Sequence, residues 1–175
     1  MCWASHHSRP MKVLTFIGAV VTGIGRHKEL GVPGRDSLAS APSDWPRVLQ
    51  PGSLNVRVQD DGYPPEFSRM RMPLTVESLD LGFFLPAFKI SQAEFTNNRI
   101  GSAGVADGDG SAQVWRARLN ANKDRIRCWV LRRFGSTLRH QLEIVSHEHI
   151  RDTYGLADER RWPGTLEVFG SWRAV

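Results

Sequence analysis

Residues 125–133 read RIRCWVLRR, a run that opens by alternating arginine with an apolar side chain. Successive side chains of a β-strand point to opposite faces, so this alternation is typical of a strand with one buried face and one solvated face. Residues 165–170, TLEVFG, alternate in the same way. Both runs therefore predict half-buried strands.

Other runs have the composition of short strands, and turns that contain proline and glycine separate them. Helical signals are limited to residues 43–49 and 147–155; in the second segment Gly155 suits a C-terminal cap. Many short strands with two small helices favour a closed barrel over a sandwich. We therefore predict a mainly β fold, a small closed six-stranded β-barrel with one or two short helices. The other runs are 13–23, 53–58, 81–90, 112–119 and 141–146.

The length of 175 residues and the hydrophobic content of 41% fit one domain with a core of its own. We expect residues 1–10 to form a disordered leader and residues 11–175 to form the single barrel domain, with Met11 as an alternative start. The two cysteines, Cys2 and Cys128, give no disulfide framework and fit a reducing compartment, so we expect the cytoplasm. No membrane span or signal peptide is expected.

The chain carries 23 lysines and arginines against 18 acidic residues, a net charge of +5. This excess predicts an anionic partner, although an ordinary solvated surface has the same composition. No basic module interleaved with aromatic residues accompanies the charge, so a nucleic-acid partner is not favoured over the phosphates of a small molecule. We expect a monomer that binds small molecules.

Residues 51–58, PGSLNVRV, place Ser53 and Asn55 on one face of a strand, while Leu54 and Val56 point the other way. Two neutral oxygen donors side by side suit a polar site at the start of a strand. The alternative is that both residues only stabilise the turn.

Residues 20–31, VVTGIGRHKELG, run from a strand into two glycines and then into three basic side chains. Glycines after a strand allow the backbone to approach phosphate oxygens, and adjacent cations neutralise them. Since a lone pair of glycines is a weak signal and no long helix follows, a plain β-turn is the alternative.

These segments resemble, in the same order, the archaeal-type CTP-dependent riboflavin kinase family. The resemblance covers about residues 16–170, and its most specific parts are GSLN at 52–55 and the segment 142–156, which begins LEIV and ends RDTYGL. It implies a six-stranded cradle-loop barrel that transfers the terminal phosphate of CTP to riboflavin, giving FMN, with Mg²⁺ as the cofactor.

The resemblance also implies roles for individual residues. Ser53 and Asn55 match the metal ligands, and Thr137 and Glu143 match the flavin-binding pair. His27 and Glu29 stand where the family has a glycine and a tyrosine. The nucleotide-binding residues that it implies are Gly23, Ile24, Gly25, Arg26, His27, Lys28, Glu29, Glu148, His149, Ile150 and Arg151.

Other interpretations of these residues stay open. Glu143 is also explained as the solvent-facing member of an alternating strand, and Arg151 as one half of a surface ion pair. His147 and His149 lack further ligands at zinc spacing. The competing functions are a non-catalytic barrel that binds a flavin or nucleotide and, less favoured, a nucleic-acid-binding barrel. No general base is assigned.

Overall fold

The computed structural model describes residues 10–21, 31–50, 54–97, 111–121, 123–156 and 164–174. The predicted leader lies outside the described residues, except for residue 10. All strand pairings among the described residues are antiparallel. The strands are β1 Lys12–Val21, β2 Leu54–Val58, β3 Phe84–Leu85, β4 Phe88–Ile90, β5 Ala112–Ala121, β6 Asp124–Arg133, β7 Gln141–Val145 and β8 Gly164–Trp172.

The sheet closes on itself through six of these strands. Their order around the ring is β1, β2, β7, β6, β5 and β8, and β8 pairs again with β1. The two short strands lie outside the ring, since among the described residues β3 pairs with β8 alone and β4 with β5 alone. The predicted mainly β fold with a closed six-stranded barrel is confirmed.

Alternation along the strands fills the barrel with apolar side chains. Trp115, Ala117 and Leu119 of β5 point inward and are buried, whereas the arginines between them point outward. In β6, Ile126 and Cys128 point inward in the same way. The first alternating run therefore folds as its pattern predicts.

The helices are few and short: α1 Pro65–Arg69, α2 Gln92–Asn97 and α3 Ile150–Thr153, with 3-10 turns at Arg35–Ser37 and Val76–Leu81. The helix predicted within 147–155 is confirmed as α3, and Gly155 follows it with a φ of 63°, the left-handed conformation expected there. None of the helices in the part of the chain that the structure describes has both the length and the hydrophobicity needed to cross a membrane.

Residues 31–50, which we call the strap, cross the outer face of the barrel. The helix predicted at 43–49 is wrong, because this part of the strap forms turns. Trp45 is buried in these turns, and its indole N–H donates to the carbonyl oxygen of Pro33 at 3.0 Å. Its ring packs edge-on against Phe88 and Trp129, with ring centroids 5.0 Å apart in both pairs. Burial of Trp45 outweighs the weak local preference for helix.

Candidate functional site

Asn55 and Glu143 face each other across the β2–β7 pair. They are direct Cα partners in the antiparallel register. Their neighbours Leu54, Val56, Leu142 and Ile144 belong to the core inside the barrel, so alternation places Asn55 and Glu143 on its outer face. Side chains that are opposite in this way have Cβ atoms about 4.5–5.5 Å apart. The structure therefore brings together the predicted metal ligand of β2 and the predicted flavin-binding carboxylate of β7.

Neither side chain is open to solvent. Asn55 is 3% exposed and Glu143 is 8% exposed. The interpretation of Glu143 as the solvent-facing member of its strand is therefore wrong. Polar groups buried to this extent need partners, and they interact more strongly than groups in water do.

Apolar residues flank the pair in one row across the outer face. Val21 of β1 is the Cα partner of Asn55, and Leu131 of β6 is the Cα partner of Glu143. Val21 is 5% exposed and Leu131 is 1% exposed. Asn55 and Glu143 are thus flanked in this row by apolar side chains, and burial among such side chains strengthens charge interactions.

Arg151 reaches the same place from α3. Its Nη2 donates to the carbonyl oxygen of Val21 at 3.3 Å, and Val21 is the residue opposite Asn55. The helix is fixed in this position by Ile150, which is 4% exposed and packs in the barrel core. Because the side chain of Ile150 points into that core, only its backbone is available to a ligand. An arginine, a carboxylate and an amide are therefore grouped at one end of β1.

Contacts around Glu148 order the segment between β7 and α3. The backbone N–H of Glu148 donates to Ser146 Oγ at 3.2 Å, and Tyr154 donates its hydroxyl to Glu148 Oε2 at 3.2 Å. His147 Nε2 lies 3.2 Å from Glu148 Oε1, and the carbonyl oxygen of His149 accepts the backbone N–H of Thr153 in α3. Glu148 is thus occupied by neighbours within its own segment.

Thr137 is not placed with Glu143. It is exposed and lies in the connection between β6 and β7. That connection enters β7 beside the last residue of β2, since Val58 donates its backbone N–H to the carbonyl oxygen of His140. α3 follows the other end of β7. The structure therefore places Glu143 beside Asn55, and it places Thr137 in an exposed connection at the opposite end of β7 from α3.

The remaining predicted site residues lie outside the described residues. They are Ser53 and the segment from Gly23 through Ile24, Gly25, Arg26, His27 and Lys28 to Glu29. Val21 precedes the second segment by two positions and Leu54 directly follows Ser53, and both lie in the β1–β2 pair that holds Asn55.

The donor set at this place fits a hard cation. The amide oxygen of Asn55 is a neutral oxygen ligand of the kind that Mg²⁺ accepts, together with phosphate oxygens and water. Among the described residues no three or more histidine, cysteine, aspartate or glutamate side chains cluster in a way that could hold a metal ion. A site completed by ligand phosphates needs no such cluster.

The strap, which the sequence did not reveal as part of the site, ends beside it. Gln50, near the end of the strap, donates its backbone N–H to the carbonyl oxygen of Ser146 at 3.0 Å. Asp44 accepts hydrogen bonds from Arg116 Nε at 2.7 Å and from Arg116 Nη2 at 2.8 Å. These hydrogen bonds lower the pKa of Asp44 and raise that of Arg116. These contacts hold the end of the strap at Gln50 beside Ser146, the residue after β7.

Comparison of the chain with protein-family models and with curated proteins finds no match. The resemblance to the riboflavin kinase family thus stays a prediction from the residues themselves.

Proposed function

We propose that this protein is a Mg²⁺-dependent kinase that transfers the terminal phosphate of CTP to riboflavin and releases FMN. The observation that carries the proposal is the strand register, which sets Asn55 opposite both Glu143 and Val21. Arg151 donates a hydrogen bond to the carbonyl oxygen of Val21. The resemblance assigns these residues separately to metal, flavin and nucleotide. Their convergence on the folded barrel is what a single site requires.

Phosphoryl transfer asks a protein mainly for positioning and for neutralisation of charge. The planar guanidinium of Arg151 suits this role, because its fork of N–H donors pairs with two phosphate oxygens at once. Glu143 accepts a hydrogen bond from the riboflavin hydroxyl and orients it toward the phosphate. Asn55, with Ser53, would hold Mg²⁺, and the bound ion would supply positive charge to the phosphate oxygens.

Burial of the pair imposes a condition on this function. Asn55 and Glu143 are almost fully covered, so a substrate reaches them only when neighbouring chain moves aside. Exclusion of water afterwards strengthens every charge interaction within the site. The second candidate function, a barrel that holds a flavin or nucleotide without turnover, would use the same residues.

Incubation of purified protein with riboflavin, Mg²⁺ and each of the four nucleoside triphosphates tests the proposal, with FMN separated by chromatography. We expect FMN with CTP and none when EDTA is present. Riboflavin binding without product would select the binding module. Absence of both product and binding with all four nucleotides would reject both candidates.

A further inference from the structure

A groove at the far end of the barrel forms a second surface with the composition of a binding site. It is about 240 Å³ in volume. The candidate kinase site and the groove lie at opposite ends of β1. Val21 at the end of β1 is opposite Asn55, whereas Lys12 at its start pairs with Gly170, two residues before Trp172. The groove is therefore separate from the proposed kinase site. Its lining residues are Glu66, Arg69, Met70, Phe83, Trp172 and Arg173.

The apolar part of the groove consists of exposed side chains whose backbone is held in place by turns and hydrogen bonds. Met70 is 44% exposed and Phe83 is 43% exposed. Phe83 follows Gly82, which ends a 3-10 turn with a φ of 74°. The carbonyl oxygen of Phe83 accepts a hydrogen bond from the backbone N–H of Arg173 at 2.7 Å. The ring of Trp172 packs edge-on against the ring of Phe84, and the two ring centroids are 5.1 Å apart. The groove is thus built by residues whose positions are already set.

A strained residue lies next to Met70. Arg71 has a φ of 55°, the left-handed region, and it is the sole residue other than glycine with positive φ among those that the structure describes. This conformation costs about 1 kcal/mol or more for a residue with a side chain. It turns the chain so that Met72 is buried in the core while Met70 stays exposed in the groove.

The charge at the rim is positive. Arg69 and Arg173 are both exposed, and in the described part of the chain neither forms an ion pair. Glu66 is the single acid in the lining. Guanidinium groups pair with carboxylates through two parallel hydrogen bonds. An occupant that carries carboxylates next to an apolar group complements a lining with two exposed arginines and exposed apolar side chains.

We infer that the groove is a docking site for a partner protein, and that it takes a segment with one large apolar side chain flanked by acidic residues. Tryptophan, methionine, phenylalanine and arginine are the residues enriched at protein interfaces, and tryptophan and arginine dominate their binding energy. The volume is below the roughly 300 Å³ at which small-molecule pockets begin, and it suits a single side chain.

The test titrates the full chain with three blocked pentapeptides and follows the indole N–H signal of Trp172 by NMR, with Trp172→Phe to assign that signal. The first peptide has a central phenylalanine between two pairs of glutamates. The second has alanine in place of phenylalanine, and the third has lysines in place of the glutamates. We expect the first peptide to bind with a Kd below about 1 mM and at least about ten-fold more tightly than the other two.

Charge reversal distinguishes a lost binding site from a lost fold, because an unfolded variant would bind neither peptide, whereas a folded one should change its preference. The double variant Arg69→Glu, Arg173→Glu should switch its preference to the lysine peptide, whereas Arg125→Glu, Arg127→Glu, two exposed arginines on β6, should leave the preference unchanged. Phe83→Ala should abolish binding, and Leu74→Ala, which removes an equally exposed side chain outside the groove, should not. Equal binding of the phenylalanine and alanine peptides, an unswitched preference, or binding of phenylacetate as tight as that of the first peptide would overturn the inference.

Discussion

Asn55 of β2 and Glu143 of β7 are direct partners across an antiparallel pair, and both are buried on the outer face of the barrel. A slip of β2 by one residue in this register would turn Asn55 into the apolar interior, where Leu54 and Val56 now pack. The same core packing that closes the barrel therefore sets the position of the polar pair.

Removal of Trp45 should destabilise the protein through the strap. Trp45 is 1% exposed and fills the space above Phe88 and Trp129. Trp45→Ala is expected to lower the free energy of unfolding by about 3–5 kcal/mol, measured by denaturant titration. Val48→Ala is the matched control, because Val48 is 71% exposed in the same strap, and it should change the free energy by less than about 0.5 kcal/mol. Similar effects of both substitutions would show that the strap does not depend on Trp45.

The Asp44–Arg116 pair should make stability depend on pH. The hydrogen bonds from Arg116 lower the pKa of Asp44 in the folded protein. The stabilisation is therefore fully present above the unfolded pKa of about 3.9 and is lost as the pH falls through the folded pKa. Because Asp44 and Arg116 are 52% and 36% exposed, solvent screens the pair, and Asp44→Asn should cost at most about 1 kcal/mol at pH 7.

The pH profile of unfolding for the native protein and for Asp44→Asn measures this effect. The two curves should differ most above about pH 5 and should converge as the pH falls through the folded pKa of Asp44. Asp36→Asn is the control, because Asp36 is 71% exposed and lies 3.6 and 3.8 Å from its two arginines, farther than Asp44 lies from Arg116. A constant difference between the Asp44→Asn and native curves at all pH values would contradict the assigned cause.

Cys128 should be unreactive in the folded protein. It points into the barrel, and burial raises its pKa to about 12, so that almost no thiolate is present at pH 8. In a Cys2→Ser background, Ellman's reagent should label the native protein at least about a thousand-fold more slowly than the denatured protein, since labelling requires opening of the barrel. Labelling of the native protein within ten-fold of the denatured rate would mean that β6 is not buried as described.

Strand alternation was sufficient to predict much of the fold. The runs 125–133 and 165–172 became β6 and most of β8 because one face of each lies in the core. The run 81–90 became two short outer strands, β3 and β4, with Pro86 between them, since proline cannot donate to a sheet hydrogen bond.

Among the elements that were not predicted, α2 and the strap were missed for different reasons. α2 had a local signal, the sequence SQAE at 91–94, in which Ser91 and Glu94 form a capping box: the backbone N–H of Ser91 donates to Glu94 at 2.7 Å. The strap had no such signal. Its structure depends on contacts between Trp45 and residues far along the chain, which local periodicity does not encode.

The candidate site was predictable in part. Alternation placed Asn55 on the outer face of its strand, and the resemblance singled out Glu143 and Arg151. That these residues meet follows from the barrel order, in which β7 is the neighbour of β2 although 82 residues of chain separate Val58 from Gln141. The position of Thr137 could not be predicted from the sequence, because it depends on the length of the β6–β7 connection.

A double-mutant cycle on FMN formation tests most directly whether Asn55 and Glu143 form one catalytic site. The rates of the native protein, Asn55→Ala, Glu143→Gln and the double variant are compared with CTP, riboflavin and Mg²⁺, and Arg57→Ala, an exposed change on the same face of β2, is the control. Groups that act as a unit are non-additive. We predict that each single variant loses at least about a hundred-fold in rate, that the double variant loses little more, and that Arg57→Ala keeps the native rate. Native rates in either single variant, or losses that multiply in the double variant, would contradict the account.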